Sequence, residues 1–134
     1  MTGRIRVTQK PGAVLFAKDV SRVAKFYERL VPMTAVHAEA ELIVLESASF
    51  QLIVHGIPTR IAKSIPISVP PKLRSGVAVK LVFPVKSLAA ARTRAKALGG
   101  ELNPKRKEFE ARGFVACDGH DPEGNVVQFR ENAR

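Results

Sequence analysis

At 134 residues the chain has room for one domain with a core of its own, and its 46% hydrophobic and 25% charged residues exclude wholesale disorder, collagen-like repeats and coiled coil. Its 22 Lys and Arg against 12 Asp and Glu leave a net charge of +10. The single cysteine, Cys117, excludes an intramolecular disulfide and any zinc site built from several thiolates, and it fits a reducing compartment.

In the first twenty residues a short apolar run follows basic positions, but Lys18 and Asp19 end it too soon for a signal-peptide core. No stretch reaches the roughly eighteen apolar residues of a membrane-spanning helix. A cytoplasmic protein is the expectation. Gly12 to Ala17 reads as a strand, Asp19 as a helix N-cap, and Val20, Val23, Tyr27 and Leu30 as one apolar helical stripe closed by Pro32. Three further strands are predicted at Met33 to Ala38, Glu41 to Glu46 and Ser49 to His55. The order is βαβββ.

Between Ile57 and Gly76, Pro58, Pro66, Pro70 and Pro71 predict a linker or surface arm, with Ile61, Ile65, Ile67 and Val69 packing as an extended edge. The opening pattern then returns. Val79 to Val85 reads as a strand, Ser87 stands where Asp19 stood, and Leu88, Ala91, Ala95 and Leu98 repeat the helical stripe up to Gly99 and Gly100. The offset is 68 residues, so Val14 answers to Val82, Val20 to Leu88 and Leu30 to Leu98. A polar hairpin-like stretch at Pro104 to Arg112, a strand at Phe114 to Asp118, the turn Asp121-Pro122-Glu123-Gly124-Asn125 and a strand at Val126 to Arg130 complete a second βαβββ. We expect one domain over 1–134, with modules at 12–56 and 77–131 joined by a proline-rich connection at 57–76.

The opening strand leading through Asp19 into a helix with Phe26-Tyr27, its echo at Lys80 to Leu98, and the string from Asp121 to Phe129 resemble the vicinal oxygen chelate superfamily, which includes glyoxalase I, bleomycin resistance proteins and extradiol dioxygenases. The last string is similar to the family's DPxGN turn running into its terminal strand. The resemblance implies an α+β fold in which two tandem βαβββ modules form a U-shaped cup of mixed sheet. It also implies that first-strand and last-strand positions line the cup: Gly12 and Lys80, Gln51 and Gln128. In metal-dependent members those positions hold His, Gln or Glu. Here Gly12 has no ligating side chain, Lys80 is a cation and Gln128 offers a neutral amide, so a degenerate site holding no metal and no cofactor is the expectation.

If Gln51 faces the cup, alternation turns Ser49, Ile53 and His55 the same way, and His55 is a candidate ligand-binding group or general base, or a rim histidine without chemistry. Lys80, sharing a face with Val82 and Pro84, reads as a charge partner for a ligand carboxylate or phosphate, as a catalytic amine, or as a lysine snorkelling to water. Cys117 reads as a buried thiol unless a cation lies beside it, and His120 as exposed. Asp118, Asp121 and Glu123 read as solvated turn residues.

Between Glu46 and Glu101 no acid interrupts nine basic residues. With one Tyr, no Trp and no aromatic pair interleaved with the basic run, nucleic acid is a weaker reading of that charge than an anionic ligand or a solvated face. No Ser-His-Asp order, phosphate loop, GxGxxG or HExxH occurs. The leading expectation is a metal-independent small-molecule-binding protein of the bleomycin resistance type, a homodimer holding a partly apolar anionic ligand through Gln51, His55, Lys80 and Gln128. The alternatives are a lyase, isomerase or dioxygenase with a relocated or absent metal, and a basic interaction module.

Overall fold

The structure is a computed structural model that describes residues 9–133; most of the expected N-terminal arm before residue 12 lies outside the described residues. The first module runs β1 (Gly12–Ala17), α1 (Val20–Leu30), β2 (Thr34–Glu39), β3 (Leu42–Glu46) and β4 (Gln51–Gly56). Asp19 caps α1 by accepting the Arg22 backbone N–H at 3.1 Å. Val20, Val23, Tyr27 and Leu30 are buried as the spacing predicts, and Ala24 and Phe26 widen that stripe. Each such apolar side chain, once fully buried, contributes about 1.5–3 kcal/mol. α1 stops at Val31, whose backbone is extended, and Pro32 cannot supply the N–H of a further turn.

Because α1 carries the chain across the sheet, β1 and β4 pair in parallel, from Gly12 opposite Gln51 to Ala17 opposite Gly56. β3 pairs antiparallel with both β4 and β2, giving the order β1-β4-β3-β2.

The connection holds one short helical turn, α2 (Thr59–Ala62), which the sequence reading lacked. Pro58 precedes it, where a missing N–H costs nothing. Ile65 and Ile67 are half-buried, whereas Ile61 and Val69 are exposed, so only the middle of the expected apolar edge packs.

The second module repeats the plan with β5 (Leu81–Pro84), α3 (Leu88–Ala97), β6 (Glu101–Leu102), β7 (Phe109–Ala111), β8 (Phe114–His120) and β9 (Val126–Asn132). Ser87 caps α3 through the Ala90 N–H at 3.1 Å, and Gly99 takes the positive φ, +90°, that ends it. The sheet order is β5-β9-β8-β6, with β7 also on β8, and β5 and β9 are the parallel pair. The predicted hairpin stretch is therefore a 3-10 turn at Lys105–Lys107 followed by β7. β5 is shorter than Val79 to Val85, and Lys80 stands one residue before it.

α1 and α3 touch, and one core joins both modules. The Phe26 ring lies edge-on to Phe129, with centroids 6.4 Å apart, and Tyr27 lies 5.6 Å from Phe83. The helix-bearing sides of the two sheets thus share an interior. Their other sides face solvent, where Val14, Phe16 and Val82 are exposed.

Candidate functional site

The chemistry-bearing residues collect on the helix-free faces of the two sheets. On β8 and β9, strand alternation turns Phe114, Ala116 and Asp118 to the same face as Gln128 and Arg130, and the register sets Asp118 opposite Gln128 and Ala116 opposite Arg130. Lys80 reaches this face from the start of β5, and its Nζ donates to Asp118 Oδ2 at 2.9 Å. The Lys80 side chain is 44% exposed, so the ion pair sits at the water boundary, where it contributes little to stability and keeps two of its three donors available.

Gln128 is only 7% exposed. Its Nε2 donates to Asp118 Oδ1 at 3.2 Å, and its Oε1 accepts from Arg130 Nε at 2.8 Å. The Arg130 guanidinium lies over the Phe114 ring, 4.2 Å from the centroid, with Arg112 at 5.1 Å. Lys80, Asp118, Gln128 and Arg130 form one chain of hydrogen bonds carrying two cations and one carboxylate. Its excess charge is positive and its unused donors point outward, which suits a carboxylate or phosphate guest.

On the other sheet, Gln51 Nε2 donates to the Lys10 carbonyl at 3.0 Å, which ties the side chain to the strand entrance. His55 is exposed, its ring 5.5 Å from Phe16. Its Nδ1 is 2.8 Å from the Gly56 carbonyl, an acceptor, so Nδ1 carries a proton, and among the described residues no hydrogen bond engages Nε2. The structure therefore brings Lys80 and Gln128 together and sets Gln51 and His55 on the other sheet. Among the described residues no hydrogen bond or ion pair joins the two sets.

The register also fixes the equivalence of the modules. Val14 pairs with Ile53 and Val82 with Gln128, so the first-module counterpart of Gln128 is Ile53, and the second-module counterpart of Gln51 is Val126. This bears on a divalent ion, which the fold family employs in its metal-dependent members. Gly12 and Ile53 offer no donor, the Lys80 ammonium is held on Asp118, and both amide atoms of Gln128 are engaged. Among the described residues no cluster of three or more His, Cys, Asp or Glu side chains could hold a metal. These residues do not fit a divalent cation.

Asp118 and Arg130 are the site residues that sequence reasoning missed. Arg130 could have been found by alternation from Gln128, two residues before it. Asp118 required the β8–β9 register. Nor are the turn acids solvated: Asp121 is 0% and Glu123 3% exposed. Asp121 accepts four hydrogen bonds, from the Tyr27 hydroxyl at 2.8 Å, the Glu123 and Asn125 backbone N–H groups, and Asn125 Nδ2. Glu123 accepts the backbone N–H groups of Lys18 and Asp19 at 2.8 and 2.7 Å. Gly124 adopts φ +85°, and a side chain there would strike the Lys72 carbonyl. Burial first, then the negative Asp121, pushes the Tyr27 phenol well above its usual pKa.

Cys117 does have a cation beside it, with an Arg92 guanidinium nitrogen 3.6 Å from Sγ. Burial above all pushes the thiol up, Arg92 pulls it down, and with Glu108 and Asp118 adding to the rise its pKa stands above the usual thiol value, against a reactive thiolate. His120 is half-buried rather than exposed, its Nδ1 2.9 Å from the Asp121 carbonyl.

A family profile described as a glyoxalase-like domain matches residues 12–129. Among solved structures, a glyoxalase/bleomycin resistance protein/dioxygenase family enzyme from Burkholderia phytofirmans PsJN superposes with a TM-score of 0.66 at 16% identity, covering 90% of this chain and 96% of that one. A glyoxalase-related enzyme from Fulvimarina pelagi gives 0.64 at 18% identity, covering 94% and 89%. A bleomycin-binding protein complexed with bleomycin gives 0.56 at 19% identity, covering 94% and 99%. At these identities the likeness is one of fold. Among curated proteins, none matches the chain by sequence.

Proposed function

Because the chain belongs to the glyoxalase-like domain family, we propose that it is a small-molecule-binding protein that works without a metal, its guest a partly apolar anion held on the helix-free sheet faces. The observation that carries this reading is the chain Lys80–Asp118–Gln128–Arg130, which presents unused cationic donors beside the exposed Val82. A carboxylate would share Lys80 with Asp118, while the apolar part of the guest lies against Val82. Binding needs no reacting group, only shape and anchors. The bleomycin-binding neighbour supports small-molecule binding as a use of this fold. Bleomycin is cationic and a poor partner for this basic chain, so an anion is the better guest.

We take the working form to be a cytoplasmic homodimer, which gives the exposed Val14 and Phe16 a cover. A second reading draws on His55, whose open Nε2 could serve as a base in a lyase, isomerase or dioxygenase of the same superfamily. The two separate on whether a bound compound is returned unchanged.

The test is calorimetry in the presence of EDTA with a panel of aryl and acyl carboxylates, each beside its uncharged amide. A carboxylate should bind saturably and its amide far more weakly, and Lys80→Ala should weaken the carboxylate by about tenfold, the equivalent of one lost charge-assisted contact. Amides that bind as tightly as their acids, or a Lys80→Ala protein that binds like wild type, would remove the anionic guest.

A further inference from the structure

A cleft not lined by Lys80, Asp118 or Gln128 runs along the seam between the modules, where the segment after α1 crosses the turn from β5 to α3. Its three lobes meet at Pro32. One lobe, of about 360 Å³, is rimmed by Arg29, Lys86 and Arg94 against a single acid, Glu28. Among the described residues none of those three cations is in an ion pair. A second lobe of the same volume shares Val85 and Lys86 with the first and adds Arg130. The third, about 210 Å³, is apolar, lined by Met33, Phe50, Val82 and Phe83 with Ser47 and Ser49 at its mouth. Phe50 and Phe83 meet edge to face there, with centroids 6.0 Å apart.

The two chemistries are contiguous, because Val31 belongs to both the basic and the apolar lobe, and Pro84 to both the apolar lobe and the one holding Arg130. An apolar pocket of this size takes one aromatic ring, where stacking and edge contacts with Phe50 and Phe83 favour an aryl group over a bare chain. The surplus of cations in the adjoining lobe favours a group carrying more than one negative charge over a monoanion. We propose that this seam cleft is a second binding site, for a small aryl phosphate, with the ring between Met33, Phe50 and Phe83 and the phosphate among Arg29, Lys86 and Arg94. The cleft borders the sheet-face site at Val82 and Arg130, but none of Gln51, His55, Lys80 and Gln128 lines it.

Calorimetry of the full chain with phenyl phosphate tests this, with inorganic phosphate and phenol as the two half-ligands. Phenyl phosphate should bind at least about tenfold tighter than either half, and Lys86→Glu and Arg94→Glu, both at exposed positions, should each weaken it by about tenfold. Ser49→Trp, filling the apolar lobe from its exposed mouth, should reduce phenyl phosphate to the affinity of inorganic phosphate. Lys80→Ala should leave it unchanged, which separates this site from the sheet face. Phenyl phosphate binding no tighter than inorganic phosphate would overturn the proposal. So would charge-reversed variants that bind like wild type, or a loss in Lys80→Ala equal to that in Lys86→Glu.

Discussion

Glu123 shows how a surface residue type becomes an internal fastener. Its carboxylate takes the N–H groups of Lys18 and Asp19, where β1 hands over to α1, and so links the last turn of the second module to the first helix. The neighbouring Asp121 does the same for Tyr27, filling its four lone-pair directions with four donors. Neither role was legible in the sequence. A DPEGN string reads as a turn from local chemistry, but Tyr27 lies 94 positions from Asp121, and Asp19 and Lys18 lie 104 and 105 from Glu123, so only tertiary packing brings them in. Tyr27→Phe should cost about 1–2 kcal/mol in urea denaturation at neutral pH, because Asp121 then loses a buried donor. Its pH dependence is also signed. The folded phenol keeps its proton to higher pH than the unfolded one, so this stabilisation is whole below about pH 10 and is lost as pH rises through the raised folded value. The phenylalanine protein should lack that part of the alkaline limb. An identical alkaline limb in both proteins would contradict the assignment.

Helices were the elements most legible in the sequence. The 68-residue offset places Asp19 on Ser87 and Val20 on Leu88, and both pairs perform the same task in the structure: each first residue caps through the N–H three positions on, and each second residue is buried at the start of its helix. Capping and stripe spacing are local, so sequence carries them. Asp19→Ala and Ser87→Ala should therefore each lower stability by about 1 kcal/mol and add in the double variant, as checked by denaturant midpoints. Strand ends were less legible. β5 begins at Leu81 because Leu81 is the first residue to find a ladder partner, Val127, and that pairing is non-local. The same cause hid the module equivalence. Without a marked turn before β4, the resemblance set Gln51 beside Gln128 as the last-strand positions, whereas the parallel ladder matches Ile53 with Gln128.

At the scale of the whole molecule, the fold sorts the chain into an interior shared by both helices and two outward sheet faces that carry the polar chemistry. The strong basic excess between Glu46 and Glu101 does not form one surface. Lys80 joins the sheet face, Lys86 and Arg94 line the seam, and Arg92 is held by Glu108 and the Asn103 carbonyl on the far side of α3. Sequence could count those charges but not distribute them. The α+β architecture in two modules was legible from the repeat and the DPEGN turn, though the second module sets two short strands, β6 and β7, along β8 where βαβββ has one. Which residues face a guest together was not, since that depends on the β8–β9 register and on how the two sheets are set. No helix among the described residues is long and apolar enough to cross a membrane.

Binding without a metal rests on four positions that do not suit a divalent ion: Gly12 and Ile53 have no donor, Lys80 is a cation held on Asp118, and the Gln128 amide is engaged. The most direct measurement is the metal content of freshly purified protein, before and after supplying zinc, iron, manganese and nickel, with the melting temperature followed in parallel. The account predicts no stoichiometric ion and an unchanged Tm under every supply. A stoichiometric ion that raises the Tm would contradict it, because a ligand held by the folded state alone must stabilise that state.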